Sequence, residues 1–188
     1  MKKKFLLFIS LIILAGAVFL LPVKPVLVIS SKAKTADTAS AKCYYSASGY
    51  KNGFIISYTH SVNKGRVHDY YRHTKNNKLE LYQTKFVSYG AGIPEPEETP
   101  GAVFFVSDNC YIISNLHREL AELNMAVGLI AKHSISFEKQ RPLKKQRQQT
   151  LQLDVEYFLT DFFPPQTGIT LKIKRVNLAD YIFQNKIN

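Results

Sequence analysis

Apolar and polar residues alternate with period two along most of this chain. Ile169, Leu171 and Ile173 alternate with Thr170, Lys172 and Lys174, and Leu79 and Leu81 alternate with Glu80 and Tyr82. The run Phe54-Ile-Ile-Ser-Tyr-Thr-His-Ser-Val62 has the same rhythm and ends in a His-Ser pair just before Asn63-Lys64-Gly65. Successive side chains of a strand point to opposite faces, so each run predicts a strand with one face in a core. Turn signals separate the runs: Asn52-Gly53, Asn76-Asn77 and Asp108-Asn109. The spacing predicts a hairpin of 43–47 with 54–60, a meander through 67–73 and 79–86, and a second hairpin of 102–106 with 110–114. Further strands are predicted over 130–137, 150–159 and 168–176, with a turn at Asp161-Phe-Phe-Pro-Pro165. Residues 114–123 read two ways, because Leu116, Leu120 and Leu123 fall at helical spacing within a strand-rich context. About eight to ten short antiparallel strands with no βαβ alternation predict an all-β sandwich or partly open barrel.

One stretch breaks the rhythm. Lys2, Lys3 and Lys4 precede Phe5 to Val23, 19 residues without a charge. At about 1.5 Å per residue such a helix nearly spans a hydrocarbon core of roughly 30 Å, so residues 1–29 read as an export signal, a transmembrane anchor, or both. Ala15-Gly16-Ala17 falls inside the apolar run and Ala39-Ser40-Ala41 far beyond it, so neither small-residue triplet suits a cleavage site. The balance favours an uncleaved helix with the domain facing the periplasm or cell exterior, and a secreted domain if the helix is removed. Pro22 and Pro25 are expected to end the helix, Val26 to Ile29 to rest at the membrane interface, and the Ser/Ala/Lys/Thr-rich residues 30–42 to form a flexible tether. Residues 43–188 are then the β-rich domain.

Charge adds little once it is divided along the chain. The net charge is +11, but residues 1–42 hold seven lysines and one acid, Asp37, which leaves +5 for the remainder. The dense cationic run is Lys139 to Arg147, most simply a solvated loop. An extracytoplasmic address and a modest domain charge exclude nucleic acid as the expected partner, although Tyr44-Tyr45 and Tyr70-Tyr71 could stack bases on an open barrel. Cys43 and Cys110 could pair in an oxidising compartment or stand as separate thiols.

Candidate chemistry centres on the end of the 54–62 run. His60 and Ser61 are adjacent on a strand and so point apart, which removes them as a mutual base and nucleophile. No Gly-x-Ser-x-Gly elbow, His-x-x-x-His pair or Cys-x-x-Cys motif is present, and neither a catalytic set, a metal set nor a cofactor is expected. The plainer reading has His60 capping backbone groups of the Gly90-Ala-Gly-Ile-Pro94 loop.

Phe54-x-Ile-x-Tyr58-Thr-His-Ser-Val62, Thr84-x-Phe86, Ser88-Tyr-Gly-Ala-Gly-Ile-Pro94 and Asn115-Leu116-x-Arg118-x-Leu120-x-Glu122-Leu123 resemble the bacterial family known as domain of unknown function 1850. The resemblance extends through Ala126-Val127-Gly128 to His133, and the chain departs from it at Lys139 to Gln149, where a shorter turn is expected. Members are commonly encoded beside the permease of TAXI-type TRAP transporters, so the resemblance implies an accessory role in solute uptake, with the permease or its solute-binding protein as partner. It implies no catalytic residues. The expected binding or structural corner comprises Tyr58, His60, Ser61, Gly90, Gly92, Pro94 and Asn115. The alternative is a small exported ligand-binding protein or hydrolase using His60 and the 90–94 loop.

Overall fold

The computed structural model describes residues 2–31, 43–46, 53–87, 99–137, 155–183 and 185–187. Helix α1 (Lys2–Leu20) leads directly into β1 (Pro22–Ser31), followed by β2 (Cys43–Ser46), β3 (Phe54–Thr59), β4 (Arg66–His73) and β5 (Leu79–Phe86). Strands β6 (Val103–Ser107), β7 (Cys110–Leu120), β8 (Leu123–Ala126), β9 (Ser134–Phe137) and β10 (Tyr157–Phe158) come next. A 3-10 turn at Leu159–Asp161, β11 (Gly168–Asn177), α2 (Leu178–Phe183) and β12 (Asn185–Ile187) complete the order. Two open sheets result, with orders β12-β2-β1-β11-β8 and β10-β9-β3-β4-β5-β7-β6. The expected β-rich architecture is present, as an open two-sheet arrangement rather than a closed barrel.

The N-terminal segment behaves differently from its sequence reading. Val26 to Ile29 are buried in the main core, where β1 pairs with β11 from Pro22↔Asn177 to Ser31↔Ile169. Four consecutive apolar residues suit a strand buried on both faces, and that burial replaces the expected interfacial position. Ser30 and Ser31, assigned to the tether, belong to the same strand, while 32–42 lie outside the described residues. The uncharged part of α1, Phe5 to Leu20, rises roughly 24 Å, short of a hydrocarbon core. Among the described residues, no helix is long and apolar enough to cross a membrane.

Two hairpin expectations meet opposite outcomes. β6 and β7 pair across Asp108-Asn109, whose φ values of 53° and 58° give the left-handed pair that a two-residue hairpin turn requires. By contrast, β2 and β3 do not pair: β2 lies between β1 and β12, while β3 sits between β4 and β9 in the other sheet. β1 takes β2 as its neighbour instead, from Leu27↔Ser46 to Ser30↔Cys43.

The ambiguous stretch after Ser114 is a strand with an irregularity. Gln83 pairs with Ser114 and Leu81 with Arg118, so Asn115, Leu116 and His117 stand opposite Tyr82 alone. Asn115 and His117 have φ of 58° and 48°, which lets the surplus residues bulge from the ladder. The helical spacing of the leucines comes from this bulge: Leu116 joins a cluster with Val67, Phe86 and Ile113, while Leu120 packs against the main core. The strand expected over 130–137 begins only at Ser134, because 129–132 form a turn in which Lys132 has φ of 47°. The 161–165 turn is present and drives Phe163 into the main core.

Candidate binding corner and cleft

Turn 60–65 joins β3 to β4, and loop 128–133 runs from β8 into β9. The Thr59 amide donates to the Ala131 carbonyl at 2.7 Å, drawing the turn and the loop together. Arg66 reinforces this link by donating to the Lys132 carbonyl at 2.8 Å and to Ser134 Oγ at 2.7 Å, while pairing with Glu156. Gly128 packs closely beside His133: a Cβ there would meet Ala131 at 3.0 Å and the imidazole at 3.1 Å, and both neighbours would have to shift by a few tenths of an ångström. The Gly128 amide donates to His133 Nδ1 at 2.9 Å, and burial pushes the His133 ring towards its neutral form.

His60 caps its own turn. Its Nδ1 accepts the Val62 and Asn63 amides at 3.3 and 3.4 Å, so the neutral ring carries its proton on Nε2. The Gly90–Pro94 loop that His60 was expected to cap, with Gly90, Gly92 and Pro94, lies outside the described residues. Ser61 is exposed, and its carbonyl accepts Lys64 Nζ at 2.6 Å. β3 ends at Thr59, so the two residues sit in a turn and not on a strand as the alternation suggested.

Above these polar groups the corner presents an apolar tip. Val62 is 66% exposed, Leu129 66% and Ile130 84%, with exposed Lys64 and Lys132 beside them. The tip lies at the end of the sandwich away from α1. Loop 128–133 begins where Val127 bonds Thr167 and Gln166, next to the Gly168 end of β11, whereas α1 enters at Pro22 opposite Asn177. Ten residues of β1 separate the two ends by roughly 30 Å.

Beneath the corner, the core-facing side of the larger sheet opens into a cleft of about 450 Å³. Tyr58, His60 and Ser61 line it, together with Val67, Asp69, Leu81, Thr84, Phe86, Leu116 and Arg118. Asn115 is not among its lining residues; its left-handed backbone sits at the bulge between Ser114 and the two cleft residues Leu116 and Arg118. On the floor, Asp69 Oδ1 accepts the Thr84 hydroxyl at 2.6 Å, and Tyr58 hydrogen-bonds the same carboxyl. Burial holds the Asp69 carboxyl above the usual carboxylate value, the two donors offsetting part of that shift. Burial and the Asp69 charge push the Tyr58 phenol well above its usual range, so it remains a donor. Arg118 is exposed at the cleft and makes no ion pair among the described residues.

Of the residues expected at the corner, Tyr58, His60 and Ser61 line the cleft, where Asp69, Thr84 and Arg118 join them. A signal for Asp69 exists: in Val67-x-Asp69-x-Tyr71 the carboxylate shares the strand face of two buried apolar residues. Thr84 and Arg118 depend on strand pairings, which local pattern does not specify.

Ser57 Oγ lies 2.8 Å from His68 Nδ1 on the opposite face of the larger sheet. Ser57 is only 2% exposed and Glu156 bonds Arg66 and Ser134, so this contact lacks the access and the orienting carboxylate of a nucleophile with its base. Cys110 is a buried free thiol, and the Cys43 side chain lies outside the described residues. Among the described residues, no three metal-ligating side chains converge.

No curated protein and no solved structure matches this chain. Residues 54–143, which contain turn 60–65, loop 128–133 and every residue that lines the cleft, match the family model of a domain of unknown function, DUF1850.

Proposed function

We propose that this chain is a membrane-associated, extracytoplasmic interaction module that serves a TRAP-type solute transporter, docking through the apolar tip of its corner. The observation that carries this reading is the exposure of Val62, Leu129 and Ile130 on two turns locked by Thr59 and Arg66. Large apolar side chains held rigidly in solvent suit a partner's apolar pocket, and Lys64 and Lys132 favour acidic groups at its rim. Exposed apolar residues around α1, among them Phe5, Leu11, Ile12 and Ile13, suit contact with lipid. With α1 at a membrane, the tip stands off by the length of the sandwich, which favours the solute-binding protein over the permease as the partner. The transporter itself enters through the resemblance to a family encoded beside TAXI-type permeases. Among the described residues the cleft holds a carboxyl with two hydrogen-bond donors, an arrangement that supports binding.

The test is co-purification of the full-length chain with a TRAP solute-binding protein and permease at native expression. Recovery of the solute-binding protein, lost with Ile130→Asp, is the expected outcome. Failure of the unaltered chain to recover either partner would overturn the reading.

A further inference from the structure

We infer that the cleft beneath the corner binds a short organic acid carrying a hydrogen-bond donor at the end remote from its carboxylate, an ω-amino or ω-hydroxy acid. Three features of the cleft define this class. Asp69 is the acceptor on the floor: Thr84 and Tyr58 occupy part of its carboxyl, and a carboxylate with about four acceptor positions has capacity for a ligand N–H or O–H. Arg118 is the donor at the opening, and its planar guanidinium can grip a carboxylate with two parallel hydrogen bonds. Around them, Val67, Leu81, Phe86 and Leu116 give the cleft apolar walls suited to a short carbon skeleton.

The strand order sets the separation. Asp69 lies on β4 and pairs with Thr84, while Arg118 lies on β7 and pairs with Leu81, so one strand stands between them. Three residues of β5 also separate Thr84 from Leu81, so their backbones are roughly 14 Å apart, about 10 Å across the sheet and about 10 Å along it, and the two side chains close part of that distance. A ligand with its donor and its carboxylate on adjacent atoms would satisfy one group and leave the other unmatched. A ligand with several methylenes between them reaches both. This class follows from the cleft's own groups and does not depend on the tip's partner.

The experiment is titration calorimetry on the full chain in detergent, with δ-aminovalerate, valerate and n-pentylamine as probes. δ-Aminovalerate is expected to saturate the site, and valerate and n-pentylamine to bind roughly tenfold more weakly, each lacking one charge-assisted contact. Arg118→Gln, at an exposed position, is expected to erase the preference for δ-aminovalerate over n-pentylamine. Asp69→Asn is expected to erase the preference over valerate. Absence of saturable binding up to about 10 mM probe, where even weak sites register, or an unchanged affinity in Arg118→Gln, would overturn the inference. Should Asp69→Asn fail to fold, the Arg118 variant alone decides. Ile130→Asp is expected to leave these titrations unchanged, so failure at the tip and failure at the cleft are separate results.

Discussion

Thr84 donates its hydroxyl to Asp69 Oδ1 at 2.6 Å across the pairing of β4 with β5, on the sheet face that also carries Val67 and Phe86. A carboxyl in that position has lost most of its water. Its stability contribution therefore depends on pH with a defined sign. The folded state holds the Asp69 proton more tightly than the unfolded chain, whose value is near 3.8. The contribution is fully present below that value and is lost as pH rises through the higher folded one. Asp69→Asn is expected to flatten this dependence, gaining on the unaltered protein from acid towards neutral pH in urea unfolding. Parallel curves for the two proteins would show that Asp69 does not titrate as its burial requires.

Glu80 should show the opposite sign. Arg72 donates to it from Nε at 2.7 Å and from its second nitrogen at 2.8 Å, while His117 Nδ1 lies 2.8 Å from Oε1. The Arg72 hydrogen bonds hold the carboxyl below its usual 4.5 against the opposing effect of burial, and His117 adds to them. Stability from this group is present above 4.5 and disappears as pH falls through the lower folded value. Because Arg72 and His117 are largely exposed, Glu80→Gln is expected to cost about 1 kcal/mol at neutral pH. The cost should shrink in acid and in high salt, as measured by chemical denaturation. A cost that is constant with pH would point to packing instead of charge.

Arg66 joins β4 to loop 128–133 and to Glu156, which follows in the chain long after both. Arg66→Gln is expected to lower stability by about 1–2 kcal/mol through lost charge-assisted bonds to the Lys132 carbonyl and Glu156. Amide exchange of Leu129 to His133 should accelerate more than that of β11. Uniform acceleration across the molecule would mean that Arg66 supports the whole fold and not the tip.

His60→Ala is expected to cost about 0.5–1 kcal/mol, since it removes two long hydrogen bonds within turn 60–65. Ser61→Ala should stay within about 0.5 kcal/mol because the side chain is exposed. Thermal melts of the two variants check this, and a loss of several kcal/mol for His60→Ala would reveal contacts beyond its own turn.

The amino-acid pattern by itself determined the β class, the alternation of Ile169, Leu171 and Ile173 into the core, and the tight turn at Asp108-Asn109. Those features are local: period-two burial and left-handed turn residues act within a few positions of the chain. It also led to Tyr58, His60 and Ser61 at one corner. Pairing partners were a matter for the tertiary structure. The apolar run 22–31 resembles the end of a membrane segment until β11 supplies a partner about 150 residues later, and only then does Val26 to Ile29 become core. The leucines after Ser114 suggested a helix because a bulge at Asn115 and His117 alters the strand period. Asp69, Thr84 and Arg118 meet at one cleft because strand register, a long-range property, aligns β4, β5 and β7.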